Sequence, residues 1–213
     1  MFALIKREIR DHIVYFIGAA AFSAVFIIMA ISILHNYDLR RQPPAFSIVL
    51  GIPALTIVIF GICAMGSTQM YLDKTRKISA LLSTLATSRN RILLARVITG
   101  ILAILTLLVP LIITAVILMR FVSFLFPFPM FGGMVFDISV TVFLMALACY
   151  CIGLQSGWNS NPLTPSLGAL CLTCILLPLI IVKGFGLHIV VILVLFVVAS
   201  LLRTWHTFMT TSL

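Results

Sequence analysis

The sequence predicts an all-α integral membrane protein of six transmembrane helices, with an N-terminal interfacial helix and a cytoplasmic helix between the second and third spans. Three observations lead there. Hydrophobic residues make up 62% of the 213 residues and charged ones only 9%, whereas a soluble domain is about a quarter charged. The apolar residues gather in uncharged runs long enough to cross a bilayer. Lys and Arg outnumber Asp and Glu by 14 to 5 and flank those runs, where they act as topology signals and contacts to anionic head groups. That placement excludes the footprint of a nucleic-acid-binding protein. No polar block is long enough to fold by itself, so residues 1–213 are expected to form one membrane domain.

The chain opens with MFALIKREIRDHIVYF, which places Phe2, Ile5 and Ile9 on one helical face and Lys6, Arg7 and Arg10 elsewhere. That pattern predicts an amphipathic helix over residues 1–11, lying on the membrane surface and turning into the first span. It does not read as a cleavable signal, because a full-length apolar run follows with no small-residue cleavage site. The first three spans are Ile13–Leu34, Ala45–Gly66 and Val97–Met119. From Ile138 to Val182 no residue is charged, a stretch too long for one crossing at about 1.5 Å per residue. The polar break QSGWNSNPLTP (Gln155–Pro165) is expected to turn the chain. It separates a fourth span near Gly132–Leu154 from a fifth near Leu163–Val182, and a short sixth follows from Leu187 to Leu202. Pro53, Pro110 and Pro178 fall within spans, where a missing backbone donor kinks a helix. Trp158, Trp205 and His206 suit the interfacial aromatic belt.

An even number of spans puts both termini on one side. With the N-terminus inside, the cytoplasmic cations are Lys6, Arg7, Arg10, Lys74, Arg76, Lys77, Arg89, Arg91, Arg96 and Arg203, and the external ones are Arg40, Arg41, Arg120 and Lys183. Ten against four follows the positive-inside rule.

The longest basic stretch lies between spans two and three, over residues 67–96. Within it Ile78, Leu81, Leu82 and Leu85 recur at i, i+3, i+4 and i+7, one apolar helical face. Thr87 and Ser88 can cap a new helix that begins near Arg89 and feeds the third span. The periodicity fits a surface helix that seats in a partner, and equally one that only anchors the loop among lipids.

DKTRKISALLSTLATSRNRILLARVITG (Asp73–Gly100) resembles the cytoplasmic segment after the second span in the type-2 family of ATP-binding-cassette (ABC) transporter permeases. Leu81, Leu82, Ser88, Arg89, Ile92, Leu93 and Leu94 stand in the family's order. Ile78 and Ser79 replace its glycine–threonine step, Ala86 its proline and Arg96 its lysine. The N-terminal helix is similar to the family's elbow helix. The resemblance implies a permease subunit whose coupling helix docks a separate ABC ATPase subunit through Asp73, Lys74, Arg76, Lys77, Ile78, Leu81, Leu82, Leu85, Ser88, Arg89 and Arg91. It also implies a second permease chain, identical or homologous, and a prokaryotic inner membrane. No cofactor is expected on this chain, because ATP and Mg would be bound by the partner.

The remaining chemistry is sparse. No G-x-x-x-x-G-K-[ST] phosphate loop occurs, so the chain is not expected to hydrolyse ATP. Cys171 and Cys174 form a C-x-x-C among aliphatics, where thiols behave as small hydrophobes rather than zinc ligands. Asp137 is the one acid inside a predicted span. Intramembrane charge marks a functional candidate, and pairing with Arg120 at the external end is the structural alternative. Ser156 and His188 do not read as a catalytic dyad, since they fall at opposite ends of their spans. The short external loops favour a lipophilic or membrane-delivered cargo. The competing function is a non-transporting scaffold or sensor whose basic loop binds a partner or anionic lipid.

Overall fold

The computed structural model describes residues 2–36, 60–72, 89–125, 131–158, 171, 175 and 186–210, and among them it is helical with no strand. The elements are α1 (Phe2–Asp11), α2 (Ile13–Asn36), α3 (residues 60–72), α4 (Arg89–Leu125), α5 (Phe131–Trp158) and α6 (Leu187–Thr210). Three described segments are long and apolar enough to cross a membrane: Asn90–Ile117, Phe136–Trp158 and Leu187–Thr210. Counting α1 and the start of α2 as one bent span gives a fourth. The chain is an all-α membrane protein. The fifth predicted span and most of the second lie outside the described residues.

α1 and α2 meet at His12 with a bend of 69°. Two backbone bonds cross the break: the His12 amide donates to the Glu8 carbonyl at 3.1 Å and the Tyr15 amide to the His12 carbonyl at 3.0 Å. Along α1, Ile5, Glu8 and Ile9 turn toward the bundle, Lys6 and Arg10 stay exposed, and Arg7 pairs with Asp11 at 3.6 Å. α1 packs on α4, so the first helix is docked and not free.

The contacts fix the directions of the helices. Tyr15 meets Thr68, while Gly18 and Phe22 line a cleft with Gly61 and Ile62, so α2 and α3 run antiparallel. Cys63 faces Gly153 and Ser67 faces Gly157, so α3 and α5 run parallel. Gln155 reaches Ser200 and Trp158 meets Phe208, so α5 and α6 are parallel too. The junction of α1 and α2, the start of α4 and the last turn of α6 therefore gather at one end of the bundle.

α3 and α5 approach backbone to backbone. A Cβ at Gly66 would stand 2.6 Å from the Tyr150 carbonyl oxygen, and Cβ atoms at Gly153 and Gly157 would overlap the carbonyls of Cys63 and Ser67. Gly153 and Gly157 form a G-x-x-x-G step, the spacing that lets two membrane helices touch without side chains between them. α6 buries Ile189, Leu193, Val197, Ser200, Thr204 and Phe208 as one stripe. Its other face exposes Val191, Val194, Leu195, Val198 and Leu202, which is the division expected of a helix with lipid on one side.

Several helix ends differ from the sequence expectation. α5 continues through Gln155 to Trp158, and α6 continues eight residues past Leu202 to Thr210. The polar residues there do not break the helices because neighbours satisfy them. Gln155 Nε2 donates to the Ser200 carbonyl at 3.0 Å, and the Thr204 and Thr207 hydroxyls donate to carbonyls one turn earlier. The turn expected from Gln155 onward thus starts no earlier than residue 159. Trp158 is enclosed within the bundle: it is 7% exposed and lies 5.1 Å from the Phe208 ring. Helix α3 likewise runs six residues beyond Gly66, to residue 72. α4 begins at Arg89 and passes Pro110 within a single helix of 37 residues.

Candidate functional site

The densest polar chemistry among the described residues surrounds Arg96. Its side chain, only 2% exposed, is enclosed by four other helices. From α1, Glu8 places Oε1 3.6 Å from Arg96 Nε. From α3, Met70 places its sulfur 3.5 Å from a terminal guanidinium nitrogen. From α6, the Phe208 ring lies 5.9 Å below the guanidinium carbon, within cation–π range. From α5, Tyr150 binds the Arg96 backbone: its hydroxyl is 2.9 Å from the Arg96 carbonyl and 2.6 Å from Gln69 Oε1.

Each contact has a local cause. Arg96 is two turns into α4 on the face that also buries Ile92, Ala95 and Thr99. Gly100 lies one turn further, and a Cβ there would overlap the Tyr150 ring. The glycine makes the space in which Tyr150 reaches Arg96. A phenol has a single proton, so it serves the Arg96 carbonyl. The Gln69 amide, turned over, then donates to the phenol oxygen, and this gives buried Nε2 the partner it otherwise lacks among the described residues. Similarly the Thr68 hydroxyl donates to the Met65 carbonyl at 3.0 Å, leaving Tyr15 to donate to Thr68 at 3.1 Å.

Glu8 is the only glutamate of the chain, and its two oxygens face different bases. Oε1 meets Arg96, and Oε2 lies 3.8 Å from His12 Nε2. His12 is 5% exposed. Burial pushes its pKa below the ordinary 6.5; the Glu8 and Asp11 carboxylates act the other way, and Arg96 adds to the lowering. At neutral pH, therefore, Glu8 has one charged partner, Arg96, and one neutral neighbour.

Of the coupling-helix residues expected from sequence, Asp73, Lys74, Arg76, Lys77, Ile78, Leu81, Leu82, Leu85 and Ser88 lie outside the described residues. Arg89 and Arg91 occupy the first turn of α4, with Arg91 exposed. Asp137 is exposed on α5, and the side chain of Arg120 lies outside the described residues. Ser156 lies level with the Ser200 region of α6, twelve residues from His188, about 18 Å along the axis. The sequence singled out neither Glu8, His12, Gln69 nor Tyr150. One signal was available: a lone glutamate among six apolar runs needs a partner.

An apolar cleft of about 220 Å³ lies between α2, α3 and α4, lined by Val14, Tyr15, Phe22, Met65, Ile104 and Leu107 among others, with no charged residue in its wall. Comparison with models of protein families, with curated proteins and with solved structures finds no match to this chain.

Proposed function

We propose that the chain is the membrane-spanning permease subunit of an ABC exporter of type-2 architecture, with six crossings and both termini in the cytoplasm of a prokaryotic cell. ATP would be hydrolysed by a separate subunit docked on residues 73–91, and a second permease chain would complete the path. The observation that carries this reading is the resemblance of Asp73–Gly100, joined to the course of α4. A push delivered through residues 73–88 would enter the continuous 37-residue helix that begins at Arg89, and Arg96 would pass it to α1, α3, α5 and α6. The basic residues of the loop would steer and orient the ATPase more than they add affinity. The uncharged cleft beside α4 suits a lipophilic cargo.

The test is affinity purification from native membranes in mild detergent, with mass spectrometry of what co-elutes. A phosphate-loop ATPase is expected with the wild-type chain and lost with Leu81→Asp/Leu82→Asp. Absence of any ATPase, under conditions that keep other transporter complexes whole, returns the loop to a lipid or scaffold contact.

A further inference from the structure

We propose that the Glu8–Arg96 pair is a clasp holding the amphipathic helix α1 against the bundle, and that protonation of His12 opens it, making α1 an acid-sensitive switch instead of a fixed anchor. The inference concerns α1 alone and stands whether or not an ATPase docks on the loop.

Three features of the geometry point this way. First, the interface between α1 and the rest of the bundle is built around charge. The inward face of α1 carries Glu8 between Ile5 and Ile9, and no residue of α1 itself is buried, whereas Arg96 opposite is 2% exposed. Ile5 and Ile9 beside Glu8 are only partly buried. Phe2, at the far end, is 90% exposed, so an alternative resting place for α1 along an apolar surface already has its contact residue.

Second, the hinge exists. α1 and α2 already meet at 69°, and His12 sits at the join, so a rotation there exchanges only the His12–Glu8 and Tyr15–His12 backbone bonds and leaves the body of each helix in place.

Third, the ionisable group at the hinge faces the clasp. The groups around His12 are Glu8 and Asp11 from α1, the Tyr15 ring of α2 at 6.1 Å, and Arg96 of α4. With His12 neutral, the Glu8 carboxylate has Arg96 as its charged partner. A proton on His12 places a charge on a side chain only 5% exposed and gives Arg96 a competitor for Glu8 at 3.8 Å; the Glu8 and Asp11 carboxylates favour that proton, but burial outweighs them and holds the pKa down. The sign follows from linkage: an undocked, hydrated His12 takes up its proton near the ordinary value of 6.5, while the docked one resists it. Docking is therefore at full strength above that pH and weakens as pH falls below it. From pH 7.5 to 5.5 the ratio of undocked to docked α1 rises by about tenfold at most.

The experiment places nitroxide labels at Phe2 and Asn90, both exposed, in the full chain with its native cysteines replaced, in nanodiscs. Pulsed dipolar spectroscopy then reads the distance between α1 and the start of α4. A single docked population is expected at pH 7.5, with a second, longer one growing toward pH 5.5. His12→Gln, which keeps the size and removes the titration, is expected to hold the same distribution at both values. Glu8→Gln is expected to show the longer population at both. Identical distributions at pH 7.5 and 5.5 in the otherwise wild-type chain overturn the switch. So does an acid response that survives His12→Gln. An unchanged docked distance in Glu8→Gln overturns the clasp.

Discussion

Arg96 shows what a charge inside an apolar bundle requires. Taking a guanidinium and a carboxylate out of water is costly, and their attraction offsets this only in good geometry. Removing one partner leaves the other uncompensated, so Arg96→Met is expected to destabilise by about 3–5 kcal/mol. The double variant Glu8→Gln/Arg96→Met is expected to recover most of that loss, and thermal unfolding in detergent across the cycle measures the coupling. Tyr150→Phe keeps the ring in the space left by Gly100 but strands the Arg96 carbonyl and the Gln69 amide, for a loss of about 1–3 kcal/mol. In sequence Arg96 reads as one more cation of a basic loop. Its counter-ion is 88 positions earlier, and a pair so far apart leaves no local period to detect. Met70 and Phe208 are hidden for the same reason, since their apolar neighbours give no hint of which one meets a charge.

Helices α4, α5 and α6 were legible because hydropathy over 20 or so residues is set by the solvent and depends little on the neighbours. Their ends were not. Gln155, Arg203 and Thr204 have the composition of a loop, and only the partner helix shows that Gln155 bonds to Ser200 and that Thr204 faces inward. The contact of α3 with α5 does leave a trace in the sequence: the spacing of Gly153 and Gly157 is a local signature of close approach. It makes a sharp contrast with the open glycines. Gly153→Ala and Gly157→Ala bring a Cβ against backbone carbonyls that have nowhere to go, and overpacking of this kind typically costs about 1–3 kcal/mol. Gly18→Ala and Gly61→Ala meet nothing within 4 Å, and the gain in helix propensity there should raise stability by about 0.5–1 kcal/mol. Thermal unfolding of the four single variants separates the two classes, and equal losses in all four would remove the close contact as an explanation.

The bundle has a distinct end where the first helix, the head of α4 and the tail of α6 converge on Arg96. In the topology proposed above, that end faces the cytoplasm. A green fluorescent protein fused after Leu213 is expected to fluoresce and alkaline phosphatase at the same site to stay inactive; the reverse pair of results inverts the topology. The same convergence separates the two tryptophans. Trp158 is enclosed against Phe208, and Trp205, one turn before Phe208 at the open edge of the buried stripe of α6, is 46% exposed. The chain thus carries its own optical ruler. Brominated acyl chains should quench Trp205 and spare Trp158, and in Trp205→Phe the remaining emission, blue-shifted and shielded, would report in real time whenever the tail of α6 parts from α5.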